Sequence, residues 1–214
     1  MIVLAYGFIS PDRRYGVKTM ARDVPKLIDV NDSMLLVIDV QDVFLDKLAP
    51  AVAEQVVERI RWLIQVAEWF AVPIVLTAED IPKHGVTTGR VKEVIPAGTP
   101  ELNKVIFGLA QQPDILQVVQ CLGRKTAVLV GLETDVCVQH SAFGLMQLGY
   151  TVVAVVDATA SPESGHELGL ARMRDAGVVL VSVKGLFYEW SRDIAKIGEI
   201  LQSNRIDRPK GLLL

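Results

Sequence analysis

The sequence predicts a single-domain, three-layer α/β/α protein built on a doubly wound, mostly parallel six-stranded sheet. Three observations carry that expectation. From residue 34 onward, short apolar runs alternate with stretches whose apolar residues recur every three or four positions. The runs are apolar throughout rather than alternating, as strands buried on both faces require. The 214 residues are 50% hydrophobic and contain no repeat, low-complexity stretch or internal boundary, which suits one large domain.

The first strand is the run MLLVID over 34–39, which ends in an acid. Val52, Val56, Ile60, Leu63, Ala67 and Phe70 then mark one face of a helix, with Pro50 near its first turn. PIVLT over 73–77 is the second strand. Residues 79–101, with Pro82, Gly85, Gly89, Pro96, Gly98 and Pro100, read as one long loop, a length more often functional than idle. Residues 104–107 make a short third strand, 113–122 a helix, and 126–130 the fourth strand. A helix over 134–148 stops before Gly149, a fifth strand covers 152–156, and a helix over 166–175 stops at Gly177. The sixth strand spans 178–181, and residues 186–202 read as one amphipathic helix before frayed final residues. Residues 1–30 are expected to be an N-terminal extension, 31–205 the domain and 206–214 a tail.

Composition narrows the function. A net charge of −3 and scattered basic residues exclude a nucleic-acid footprint or a polybasic membrane patch. Two cysteines, Cys121 and Cys137, form neither a CxxC motif nor a disulfide framework, so a reducing, cytoplasmic setting is expected. Residues 1–10 are apolar but lack a basic start and a small-residue cleavage site, which argues against a signal peptide, and they are too short to span a bilayer. Met20 is an alternative start; an extra strand or an arm on a partner subunit is the other reading. The apolar N-terminal and C-terminal segments predict a homo-oligomer, a dimer or larger.

A doubly wound sheet binds its ligand at the carboxyl ends of its strands, where strand order reverses. Asp39 closes the first strand and Cys137 follows the fourth, and in the common order these two strands are neighbours. Lys104 lies near the third strand. Thr134 reads as a helix N-cap with Asp135 complementing the dipole, which puts Cys137 near the third helical position. Unpaired N–H groups there can face an oxyanion, and the positive helix end favours thiolate. Each residue also has a plainer reading. Cys137 shares a stripe with Ser141, Leu145 and Leu148 and reads equally as a core cysteine. Asp39 alone can cap a loop, and Lys104 alone can be a solvated charge.

Four segments in order resemble the isochorismatase-like hydrolases: LVIDVQ over 36–41, NKVIF over 103–107, GLETDVCV over 131–138 and VDATAS over 156–161. The resemblance covers roughly residues 34–190. It implies Cys137 as nucleophile, Asp39 as proton shuttle and Lys104 as electrostatic partner. It also implies a cis peptide between Leu132 and Glu133, with the N–H groups of Glu133 and Cys137 as oxyanion hole. Gln41, Phe107 and His84 are candidate substrate contacts, and Arg90 in the long loop is another. His140, Asp157 and Cys121 read as structural, and Glu133 as a shaper of specificity beside the nucleophile. Gly108 stands where relatives often carry Ser.

Relatives with metal sites carry Asp-x-His and a distant His. Here the histidines are His84, His140 and His166, and no Asp-x-His occurs, so neither a metal nor another cofactor is expected. A retained Cys137 points to acyl chemistry on an amide or ureide C–N bond of a small molecule. The alternatives are a vinyl-ether hydrolase that uses Asp39 and spares Cys137, and a silent family member that binds a ligand.

Overall fold

The computed structural model describes residues 26–203, 206, 208, 209 and 211–214. The expectations for most of the N-terminal extension, Met20 included, lie outside the described residues. Six strands form one parallel sheet in the order β3-β2-β1-β4-β5-β6. They are β1 (Ser33–Ile38), β2 (Ile74–Glu79), β3 (Glu101–Lys104), β4 (Thr126–Leu132), β5 (Thr151–Ala160) and β6 (Val179–Val181). The order reverses between β1 and β4, which pair in parallel register from Ser33↔Thr126 to Ile38↔Gly131. That is the crevice the sequence marks for chemistry.

The connecting helices are α1 (Asp42–Leu45), α2 (Pro50–Trp69), α3 (Ile81–His84), α4 (Gly89–Lys92), α5 (Pro113–Cys121), α6 (Gln139–Gln147), α7 (Gly165–Ala176), α8 (Val183–Ser191) and α9 (Ile194–Gln202). Alternate residues of β1 feed two cores. Leu35 and Val37 pack with α2 and α8 through Ile60, Leu63, Phe187 and Trp190. Met34, Leu36 and Ile38 pack with α5, α6 and α7 through Ile115, Leu145 and Met173. Every residue of β1 is buried, as a central parallel strand demands. Among the described residues no helix is long and apolar enough to cross a membrane.

Several boundaries differ from the sequence reading, each for a local reason. The third strand ends at Lys104 instead of starting there, because β3 pairs its residues Glu101–Lys104 with Leu76–Glu79 of β2. Residues 105–107, apolar enough to suggest a strand, are exposed. The 79–101 segment contains α3 and α4 and is tied down: Thr88 N–H donates to Val40 O at 2.8 Å, and Thr87 bridges Gln41. The expected 134–148 helix opens with a π-helical turn over Thr134–Val138 before α6. Thr134 is not the N-cap: Glu133 holds that position, and the Thr134 hydroxyl meets His166 Nδ1 at 2.9 Å. The single C-terminal helix is two, α8 and α9, broken by Arg192 at φ 59° and restarted by Asp193, whose carboxylate accepts from Ala195 N–H. The end of the chain is not wholly frayed, since Leu212 is buried in the first core.

Candidate active site

Gly131 sets the approach of β4 to β1. A Cβ there would lie 1.9 Å from the Ile38 carbonyl oxygen, and its φ is 121°, so only glycine lets the strands meet where the order reverses. One residue on, the chain of β1 turns at Asp39, which adopts φ 51° and points its carboxylate into the sheet edge. The Leu132–Glu133 peptide is cis, at the bond where the sequence resemblance implies one.

Three of the expected residues converge here. Lys104 Nζ lies 2.8 Å from Asp39 Oδ2 with both side chains fully buried. The same ammonium donates to Cys137 Sγ at 3.4 Å and to the Ile106 carbonyl at 3.1 Å. Asp39 Oδ1 accepts from the Thr77 hydroxyl at 2.8 Å. Cys137 is 3% exposed and lines the second core, so the core reading and the site reading describe one residue.

A fourth residue joins them. Glu79 closes β2 opposite Lys104 in the β2–β3 register. Its Oε2 accepts from Cys137 Sγ at 3.1 Å and lies 3.8 Å from Lys104 Nζ. The sequence held a signal for it: the run IVLTAE ends in an acid just as MLLVID does. Stopping the second strand at Thr77 hid that parallel.

Donor atoms of Asp39, Glu79 and Cys137 lie within 4.8 Å of one another, a spacing that can suit a metal ion and that the linear sequence does not show. The Lys104 ammonium touches the same three groups, so the positive charge they share is already in place and opposes a second cation.

Electrostatics in this cluster follow from burial and neighbours. Burial lifts the Asp39 carboxyl above its ordinary value, and the pull of Lys104 only partly offsets it. Burial also works against the Lys104 charge, but Asp39, Cys137 and Glu79 together hold it above the usual lysine range. The Cys137 thiol is pushed far up by burial and then by Asp39, with Lys104 opposing and Glu79 adding to the rise. The expectation that the helix end favours thiolate is therefore reversed. Burial and the two carboxylates beside the sulfur raise the thiol, against that expectation.

The remaining expected residues take other positions. Gln41 is buried, and its amide is engaged with backbone: Nε2 donates to Glu79 O at 2.9 Å and Gly85 O at 2.7 Å, while Oε1 accepts from Glu79 N–H at 2.7 Å. It holds Glu79 and the following loop in place. His84 is half-buried, with Nδ1 3.5 Å from Glu79 Oε1 and its ring edge-on to Phe44. Phe107 is 52% exposed and meets the exposed His140 edge-on, so His140 packs away from a Cys–His pairing. Glu133 pairs with Lys47 at 2.8 Å. Arg90 turns from the site to Glu54 and Glu58. Asp157, expected to fix a turn, lies within β5 instead, where it accepts from Val183 N–H at the start of α8 at 2.7 Å and pairs with Arg59. Cys121, expected in the core, is exposed. A Cβ on Gly108, expected to be Ser by the resemblance, would lie 2.0 Å from Gln111 Oε1, so this packing accommodates glycine.

The chain matches the family model of the isochorismatase domain over residues 33–185. It belongs to the isochorismatase family. Similar solved structures cover nearly the whole isochorismatase fold. YcaC from Pseudomonas aeruginosa, with hexane-2,5-diol and covalent acrylamide, is 26% identical at a TM-score of 0.75, over 83% of this chain and 91% of that one. The YcaC gene product of Escherichia coli, an octameric hydrolase of unknown specificity, is 26% identical at 0.75, over 86% and 93%. The MAR1 ribonuclease of Caenorhabditis elegans is 25% identical at 0.74, over 88% and 98%. The fold is that of an isochorismatase-family hydrolase.

Proposed function

We propose that this chain is a cysteine hydrolase that cleaves an amide- or ureide-type C–N bond of a small molecule through a Cys137 thioester. The observation that carries the reading is the buried contact of Cys137 Sγ with Lys104 Nζ at 3.4 Å, beside the 2.8 Å Lys104–Asp39 pair at the carboxyl edge of the sheet. The sulfur attacks the carbonyl carbon, a carboxylate of the cluster takes the thiol proton and returns it to the leaving nitrogen, and water then cleaves the thioester. The family resemblance implies Asp39 for that proton. Lys104 balances the charge, and the N–H groups of Glu133 and Cys137 would receive the oxyanion. The P. aeruginosa YcaC with covalent acrylamide supports the reading, since acrylamide is an electrophile that thiols add to.

The site does not favour a ribonuclease. A polyanion would meet two carboxylates against one ammonium, in a chain of net charge −3. Exposed Val105, Ile106 and Phe107, directly after Lys104, offer an apolar strip for a second copy, and the octameric E. coli neighbour fits a homo-oligomer. A hydrolysis screen of small amides and ureides, with Cys137→Ala as the blank, tests the function. Release of amine or ammonia by the wild type alone supports it, and equal release by both proteins removes it.

A further inference from the structure

We propose that Glu79 is a specificity-determining residue: its Oε2 accepts a hydrogen bond from the leaving nitrogen, so the site favours amides and ureides whose scissile nitrogen carries hydrogen over the corresponding esters. This rests on the cysteine-hydrolase reading above and narrows its substrate class. Asp39 keeps the proton transfer that the family resemblance implies.

The placement of the two acids carries the proposal. The Cys137 thiol is a hydrogen-bond partner of both, of Glu79 Oε2 at 3.1 Å and of Asp39. Asp39 is fully buried, whereas the Glu79 side chain is 15% exposed, so Glu79 borders the space a substrate enters. Gln41 binds both the N–H and the carbonyl of Glu79, and the β2–β3 register sets Lys104 opposite it. Its other oxygen faces half-buried His84 Nδ1 at 3.5 Å, which leaves Oε2 for the sulfur side. Oxygens of Asp39 and Glu79 lie within 4.8 Å of each other and of the sulfur. One nitrogen can reach both, since each N–H···O bond spans about 2.9 Å.

The chemistry needs a second acceptor at that point. As the S–C bond forms, the thiol proton passes to Asp39 and the carbonyl π pair moves onto oxygen. Glu79 Oε2 then loses the S–H donor it had at rest. A carboxylate oxygen left without a donor in a mostly buried site is costly. A leaving nitrogen with its own hydrogen replaces the lost donor. When the tetrahedral intermediate collapses, the C–N bond breaks and the nitrogen departs with the proton from Asp39, while Glu79 exchanges no proton. Positive charge grows on that nitrogen as it is protonated. The cluster holds two carboxylates against one ammonium, and the negative excess stabilises that charge. An ester offers an oxygen instead, with no hydrogen to donate and negative charge growing as it leaves. The same excess opposes it, and Glu79 stays unpaired.

The test uses the full chain and two compounds that share one acyl group taken from the screen, the primary amide and the methyl ester. The quantity read is the ratio of amide to ester turnover. Glu79→Ala removes the acceptor and its charge, and should lower that ratio about tenfold or more. Glu79→Met keeps the length of the side chain without the carboxylate. It should lower the ratio as far, and it carries the test should Glu79→Ala fail to fold. A residue that only closes β2 would slow both compounds together and leave the ratio alone. A ratio within about threefold of wild type in the folded variant, with Cys137→Ala dead on the amide, overturns the proposal and leaves the cysteine-hydrolase reading standing. Amide turnover retained in Cys137→Ala removes both.

Discussion

Two regions of the molecule use the same ionic groups to opposite ends. Along α2 and α4, Arg90 pairs with Glu54 and Glu58 at 2.7 and 2.8 Å, and Arg61 pairs with Glu93 at 3.0 Å. At the carboxyl edge of the sheet, Lys104 pairs with Asp39 at the same 2.8 Å. The distances match; the surroundings do not. Arg90 is 43% exposed, whereas Lys104 and Asp39 are at 0%. Water screens the first set, and such pairs contribute about 0–1 kcal/mol. The second set has lost its hydration, so each charge depends on its partner, and removing one leaves the other stranded. A buried charge cluster that costs desolvation energy is a mark of function.

That contrast can be broken or sharpened by experiment, the largest effect first. Asp39→Asn removes the partner of Lys104 and should lower turnover by about three orders of magnitude or more. Combined with Cys137→Ala it should lose little further, since the groups act as a unit. Full activity in Asp39→Asn would detach the buried pair from catalysis. Lys104→Ala leaves Asp39 and Glu79 facing each other without a cation. It should cost about 3–5 kcal/mol in urea unfolding, and a loss below that of a surface pair would contradict the contrast.

The two cysteines offer a milder version of the same comparison. Cys121 is exposed and Cys137 is buried beside two carboxylates, with its thiol held far above the ordinary range. A raised pKa means thiolate appears only as pH climbs, so near neutral pH iodoacetamide should modify Cys121 first, and Cys137 should follow at higher pH. Cys137 reacting first at pH 7 would show that the helix end outweighs the carboxylates. Arg90→Ala, last in size, should change stability by no more than about 1 kcal/mol and leave turnover alone. EDTA should also leave turnover unchanged, because Lys104 supplies the cluster's positive charge.

Much of this was legible in the chain itself. Continuous apolar runs that end in Asp39 and Gly131 specify buried parallel strands, and their neighbourhood follows from the common strand order. Strand ends were harder. Lys104 reads as the start of an apolar run because Val105, Ile106 and Phe107 follow it, yet those three are exposed and pairing with β2 ends the strand at Lys104. Glu79 escaped because a Pro- and Gly-rich segment follows it, and composition gave the whole stretch to a loop. The backbone partners of the Gln41 amide are likewise groups that only the folded chain brings near. The sign of the thiol shift was out of reach in the sequence. It depends on which charges lie within a few ångströms of sulfur, and Glu79 is 58 positions away.

Turnover of Cys137→Ala on a substrate that the wild type hydrolyses tests the central claim most directly, with Asp39→Asn measured alongside. The account predicts that both variants lose about three orders of magnitude or more, and that wild-type protein quenched during turnover carries an acyl group on Cys137 by mass. Near-wild-type activity in Cys137→Ala with an inactive Asp39→Asn would contradict it, and would assign the reaction to vinyl-ether chemistry at Asp39 instead.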